Sequence, residues 1–371
     1  MKTQDTPIDL SLTDWNGRET YRRNTANCYI IRNEGTFQIP LVYGNAIKDN
    51  QVNTESFYTP GIATDFQDSY GVPFNAWSSP FIREHASAQG KAIASADLLW
   101  NDGISKINNL SVDENFLTFD VESFSPCNAL VAVKDNDGTV LWSWHLWLTN
   151  EDLTPQVITN AAGIDFKIMP CNLGWNGWTA DGKPTSPYYQ WGRKDPFIAN
   201  EEPSEKGNII YKFLFDEGLP QYLAHQNPKK FFHHYDFDSW TINTYPYFWN
   251  SKTEKSEHNQ KVTKTIYDPC PIGWYVPQYN TFTGLAKGKA TPKGRNCTTK
   301  DKKQNLFFPF AGYRYNDSGS VSGIGGIGGC WLNSSKDSRE AHRMSVNTIG
   351  LNPNGDSSRG AGFSVRPALS E

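Results

Sequence analysis

A β-rich α+β fold in two units is what this sequence predicts, on three observations. Aromatic residues make up 14% of the chain, with 13 Trp and 17 Tyr beside 30 Gly, 22 Pro and only 3 Met. That mixture suits short strands and long ordered loops better than helix bundles. Apolar residues recur at strand spacing in short runs divided by turn residues. At 371 residues, each of two units has enough chain to bury a core of its own.

The first unit, residues 1–160, reads as a β-sandwich. From Ala26 to Thr149 the runs CYIIR, GTFQIPLVYG, ADLLW, LTFDVES, NALVAVKD and TVLWSWHLWLT alternate with turns. Asn136, Asp137 and Gly138 divide the last two as a hairpin turn does. In the final run Trp142, Trp144, Leu146 and Leu148 share one face, and Leu141, Ser143, His145 and Trp147 the other. Both faces are largely apolar, which places this strand centrally.

Residues 150–163 are polar and turn-rich and read as a linker. A second unit spans residues 164–371. It opens with IMPCNLGWNGW and PYYQWGRKDPF, passes through a loop-rich insertion at about 198–262 and resumes at DPCPIGWYVP. The insertion carries an aromatic cluster, KKFFHHYDFDSW. The end is Gly-rich. No internal repeat or heptad is present.

Lys and Arg total 35 against 39 Asp and Glu, interspersed, for a net charge of -4; no basic footprint for nucleic acid exists. No apolar run reaches the ~18 residues of a membrane-spanning helix, and the first residues lack a signal peptide's apolar stretch. This leaves a cytosolic protein or a mature fragment behind an introduced Met. The six cysteines, Cys28, Cys127, Cys171, Cys270, Cys297 and Cys330, contain no C-x-x-C pair, so a zinc ribbon or thioredoxin motif is excluded. Two readings stay open for them: disulfides in an exported protein, or small buried hydrophobes.

The motifs that carry chemistry elsewhere have plainer readings here. Gly323 to Gly328 matches a dinucleotide glycine pattern, yet Cys330-Trp331-Leu332 does not open the helix that pattern needs. His225, His233, His234, Asp236 and Asp238 lack structural-zinc spacing and read as aromatic loop packing. Asn316-Asp317-Ser318-Gly319 reads as a hairpin turn, not a nucleophile elbow. Glu201 and Glu202 have no apolar neighbours to raise a pKa for acid-base work. No metal, cofactor or catalytic residue is expected.

Five motifs in order resemble a known family. They are Asn172-Leu173-Gly174, the run Tyr188 to Pro196, the run Cys270 to Pro277, Ala311-Gly312-Tyr313-Arg314, and the run Gly362 to Pro367. Together they resemble the major-paralogous-domain family of Fibrobacter and Bacteroidetes surface proteins. The resemblance implies a C-type-lectin-like fold for residues 164–371, and export. The first unit, through Ala26 to Asn45 and the hairpin of residues 128–149, resembles the domain preceding such modules in Bacteroidetes fimbrillin-type proteins. The whole is then similar to a pilus tip adhesin at the cell surface, outer membrane or fimbrium, with its first domain contacting other pilus subunits. The string Glu202-Pro203-Ser204 departs from the calcium-binding triplets of classical lectins, which puts a calcium site in doubt.

The last 60 or so residues have the composition of an interaction surface, small polar groups around an aromatic anchor between glycines. The expected contacts are Tyr313, Tyr315, Asn316, Trp331, Asn333, Ser335, Ser338, Arg339, His342, Asn347, Asn352 and Asn354, to a surface glycan or protein. For Tyr188, Tyr189 and Trp191 a core role outweighs a sugar platform, whereas Trp331 is balanced between the two. The segment is also similar to the variable end of lectin-like proteins diversified by retroelements. Two other classes compete: a structural pilus subunit that binds no ligand, and an enzyme of the formylglycine-generating type, whose cysteine motif this sequence does not match.

Overall fold

The computed structural model describes residues 6–57, 66–74, 79–199, 212–215, 220–234, 238–242, 245–251, 262–300 and 304–370, with backbone alone for 212–215 and 233–234. Strands dominate them. The described α-helices, Ile82–Ala88 and Gln221–Gln226, are both short.

Toward the N-terminus lie two four-stranded sheets. One runs Ile8–Asp9, Gly35–Pro40, Phe116–Glu122, Lys106–Val112; the other runs Cys28–Ile31, Val140–Leu148, Cys127–Asp135, Ile93–Asn101. The Trp-rich strand Val140–Leu148 is buried along its whole length. It is interior because it pairs parallel with Cys28–Ile31 and antiparallel with Cys127–Asp135. The turn ahead of it uses Gly138 at φ +83°, a left-handed conformation that glycine adopts without steric cost.

The remaining strands form three larger sheets and two strand pairs, Ile47–Lys48 with Gln51–Val52 and Lys212–Phe215 with Phe231–His234. Gln156–Thr159, Asp165–Ile168, Ala368–Leu369 and Trp274–Tyr275 make one sheet, and Ala286–Thr291, Gly294–Thr298 and Asn305–Pro309 a second. The largest runs Val321–Ile324, Ala311–Arg314, Gly362–Val365, Ile327–Ser335, Glu340–Asn347, Leu351–Ser358, with Tyr189–Gln190 paired to Gly362–Val365. The glycine run near 325 thus joins two strands and opens no helix. The stretch 150–163, expected as a linker, carries the strand Gln156–Thr159, whose Ile158 is buried with Phe166 in the apolar cluster around Phe308 and Met344. Of the expected insertion at 198–262, residues 200–211, 216–219, 235–237, 243–244 and 252–261 lie outside the described residues. Those that are described include Trp240, Phe248 and Trp249, buried at 1% exposure or less.

One apolar cluster joins Phe37, Leu117, Val131 and Leu146 to Leu173, Trp191, Trp274 and Val365. Polar groups cross the same junction. Asn27 Nδ2 donates to the carbonyls of Ile266 at 2.6 Å and Asp268 at 2.8 Å, while its Oδ1 accepts from Trp142 Nε1 at 3.1 Å. Gly44 lies so close to the Ile266 carbonyl oxygen that a Cβ would collide with it. Lys194 Nζ donates to Ser143 Oγ at 2.6 Å and Asp195 Oδ1 at 2.5 Å beneath the Trp142 ring. Burial lowers this ammonium to about 8, with Asp195 opposing the shift. All six cysteines are buried and unpaired.

His145, on the Trp-rich strand, donates through Nε2 to Asn128 Oδ1 at 2.9 Å and accepts at Nδ1 from the Tyr189 hydroxyl at 3.2 Å. Burial lowers it from 6.5 to about 3. The unfolded chain therefore binds one more proton than the folded one between those values, and stability falls as pH drops through that window. The loss should be on the order of 5 kcal/mol across the whole range. Urea unfolding at pH 7 and pH 4 should show a smaller acid loss for His145→Gln than for the parent; equal losses would refute the assignment.

Candidate ligand-binding face

Along Glu340–Asn347, Met344 and Val346 turn into one apolar cluster. Strand alternation therefore sends Arg343, Ser345 and Asn347 to the opposite face of the largest sheet. Across the neighbouring strands that face carries Gly329, Phe363, Tyr313 and Ser322. The pairings Trp331↔Arg343, Gly329↔Ser345 and Tyr313↔Ser322 set the order.

Tyr313 stacks on the buried Phe363 at 5.3 Å and 13°, and Tyr315 meets Tyr313 at 5.1 Å and 66°. Tyr315 is 43% exposed. Burial raises the Tyr313 phenol, and its hydrogen bond to Tyr315 adds to the rise; Tyr315, accepting from Tyr313, is drawn below its usual range. The Arg343 guanidinium lies over Phe363 at 4.8 Å, and its Nε donates to the Asp356 carbonyl at 3.1 Å. Nη1 is enclosed and has no hydrogen-bond partner among the described residues. An enclosed, unpaired donor costs about 1–3 kcal/mol. Between Phe363 and Ser345 the row is occupied by the buried Gly329, where a Cβ would sit 3.0 Å from the Phe363 ring. Phe363 thus packs against both Tyr313 and Arg343 and covers Gly329, leaving Tyr315 as the exposed ring of this face.

Its support is rigid. Trp331 Nε1 donates to the Tyr189 carbonyl at 2.7 Å, Trp191 Nε1 to the Leu332 carbonyl at 2.9 Å, and Trp240 Nε1 to the Trp191 carbonyl at 2.7 Å. The turn after Arg314 is held by Arg314 Nη1 on the Gly319 carbonyl at 2.7 Å. The turn after Ser335 is held by Arg359 Nη1 on the Ser338 carbonyl at 3.2 Å.

The expected contact residues divide accordingly. Tyr313 and Tyr315 meet on this face, Asn347 lies on it two residues beyond Ser345, and Asn352 stands opposite Ser345. Asn354 follows on the same edge strand, Leu351–Ser358. Asn316 lies one turn away, its Nδ2 on the Asp238 carboxylate at 2.9 Å. Ser338 and Arg339 are exposed, but at the other end of the sheet. His342 faces away, its ring 4.0 Å from that of Tyr279.

Trp331, Asn333 and Ser335 require correction. Trp331 is fully buried against Phe363 at 4.9 Å, and Asn333, 1% exposed, donates to the Val276 carbonyl at 3.1 Å. Ser335 is 8% exposed. A fully enclosed indole with its N–H satisfied is support for the sheet and offers no surface to a ligand. Arg343, Gly329, Phe363, Ser322 and Ser345 were missed, although the two-residue alternation of Ala341, Arg343, Ser345 and Asn347 against Met344 and Val346 was there to be read.

Elsewhere, His225 is packed between Trp142 at 5.1 Å and Tyr267 at 5.0 Å. The side chains of His233 and His234, and all of Asp236, Glu201, Glu202, Pro203 and Ser204, lie outside the described residues. Among the described residues no group of three or more His, Cys, Asp or Glu is placed to hold a metal ion. No described helix is long and apolar enough to cross a membrane. Compared with known proteins, the chain matches no family model, no curated protein and no solved structure.

Trp331→Ala should lower folding stability by about 3–5 kcal/mol, the usual loss on truncating a buried Trp. Chemical denaturation with tryptophan fluorescence measures it. A loss under 1 kcal/mol, as for a surface site, would refute the supporting role.

Proposed function

We propose that this chain is an exported, non-enzymatic surface protein, an adhesin subunit that recognises a surface ligand through the face built by Tyr313, Tyr315, Arg343 and Asn352. In this reading residues 1–160 are the β-sandwich that joins other pilus subunits, and residues 164–371 are the C-type-lectin-like module. The observation that carries it is the exposed Tyr315 ring beside Tyr313, which is itself stacked on a buried ring. Aromatic groups already fixed before contact lose little conformational entropy on binding, which is how recognition surfaces concentrate their energy. Small hydroxyl and amide groups around them supply adaptable hydrogen bonds.

The apolar cluster that crosses the junction makes the full chain, rather than a fragment, the right material for a test. It should bind a component of a glycan or surface-protein array, without dependence on chelator. Tyr315→Ala should weaken that binding by about 2 kcal/mol, the scale of a central aromatic contact, with an unchanged melting curve. Binding insensitive to Tyr315→Ala would move the site elsewhere. No binding on any array by the folded chain would support the structural pilus subunit instead.

A further inference from the structure

We propose that copies of this chain associate head to tail, the lysine-lined edge strand Ala286–Thr291 of one copy docking on the acidic outer face of the sheet that carries Phe116–Glu122 in the next. This contact stands apart from the Tyr315 face, and either can fail without the other.

Opposite charges balance over the whole chain but not along it. Residues 1–160 hold 10 Lys and Arg against 20 Asp and Glu, and residues 161–371 hold 25 against 19, so the net charge passes from -10 to +6. Two stretches concentrate the difference. Residues 107–133 contain Asp113, Glu114, Asp120 and Glu122 and no Lys or Arg, whereas residues 269–300 contain Lys287, Lys289, Lys293, Arg295 and Lys300 and no Asp or Glu.

The fold displays both stretches. Ala286–Thr291 is the outer strand of its sheet, with Gly294–Thr298 on its inner side. Arg295 turns inward, its Nε on the Asn347 carbonyl at 2.9 Å and its Nη1 on the Gly288 carbonyl at 2.6 Å, which pins the edge strand. Lys287, Lys289, Lys293 and Lys300 are exposed, and among the described residues none has a carboxylate within ion-pair distance. In the acidic stretch Leu117, Phe119 and Val121 face the core. Strand alternation therefore sends Asp120 and Glu122 outward. Glu34 precedes Gly35, the residue opposite Val121, and Asp113 and Glu114 border the same sheet. Lys106, opposite Glu122, and Arg83, 3.7 Å from Glu114, offset part of this charge.

A second copy is the occupant these surfaces fit, because each copy carries both halves of the match. Lysines along a strand edge discourage the pairing of another strand there. The contact is therefore charge to charge. A single exposed ion pair contributes at most about 1 kcal/mol, so several must act together, and they set orientation as much as affinity. A contact between unlike patches repeats from copy to copy.

Sedimentation velocity of the full chain over a concentration series tests this. Association should appear at about 0.01 M salt, where charges act over roughly 30 Å, and vanish at about 1 M, where they act over roughly 3 Å. Lys287→Glu with Lys289→Glu should weaken it about tenfold or more, as attractions become repulsions. Glu114→Lys with Glu122→Lys should do the same; it removes the net charge of -4, so general repulsion does not explain that loss. Each double variant keeps one intact surface, and mixing the two should restore association, as pairs only. A monomer at about 0.01 M salt, association that survives about 1 M salt, either reversal without effect, or no recovery on mixing would overturn the proposal. Dextran sulfate is the remaining probe: if it binds through Lys287 and Lys289 while the chain stays monomeric, the edge serves a polyanion and the proposal falls. If a double variant does not fold, Lys287→Gln with Lys289→Gln and the salt series still decide. Association without any array ligand leaves this contact standing and removes the Tyr315 reading; Tyr315-dependent array binding by a monomer does the reverse.

Discussion

Buried guanidinium groups held by carbonyl oxygens are the constraint on which much of this structure depends. Arg366 is fully buried, and its Nε, Nη1 and Nη2 reach Asn172 Oδ1 at 2.9 Å, the Pro170 carbonyl at 2.7 Å and the Phe307 carbonyl at 2.8 Å. Arg193 reaches Gln190 Oε1 at 2.9 Å and the Lys230 carbonyl at 2.7 Å, with the rings of Phe197, Phe232 and Trp240 around it. Among the described residues neither forms an ion pair. A charge in such surroundings is tolerable only if several oriented dipoles replace the water it has lost. Each arginine therefore demands that segments distant in sequence present their carbonyls at once. Irregular chain acquires a fixed shape by that demand.

The same device fixes the loops that border the candidate face. Arg314 fastens Gly319 and Ile198, and Arg359 fastens Ser338 and Tyr245 while lying over Trp191 at 4.6 Å. Tryptophan N–H groups do similar work one layer down, each spent on a backbone carbonyl. With loops and floor both held, Tyr313 and Tyr315 are displayed by a platform with little freedom. That rigidity is what supports the proposal that a face without a deep pocket serves recognition.

How much of this the sequence disclosed follows from how local each feature is. The strands Cys127–Asp135 and Val140–Leu148 were legible because alternation and a turn signal lie within one window. The strand Gln156–Thr159 was hidden because its polar neighbours dominate the window, while Ile158 is buried by Phe166 across a hairpin. Trp331 misled for a related reason. Its surroundings of Gly, Asn and Ser look like a binding loop, but the groups that bury it, Tyr189 and Phe363, come from other segments. The arginine contacts were illegible, since Arg366 and the Pro170 carbonyl are 196 positions apart.

Arg343 differs from the interior arginines in the number of its acceptors. Arg193 and Arg366 each have several described acceptors, and their aromatic neighbours enclose them. Arg343 has the same aromatic contact, through Phe363, but one backbone acceptor and an Nη1 left over. The interior Arg193 also keeps an enclosed nitrogen, Nε, without a hydrogen-bond partner among the described residues. An enclosed donor left over costs about 1–3 kcal/mol, and this interior carries that cost at more than one arginine.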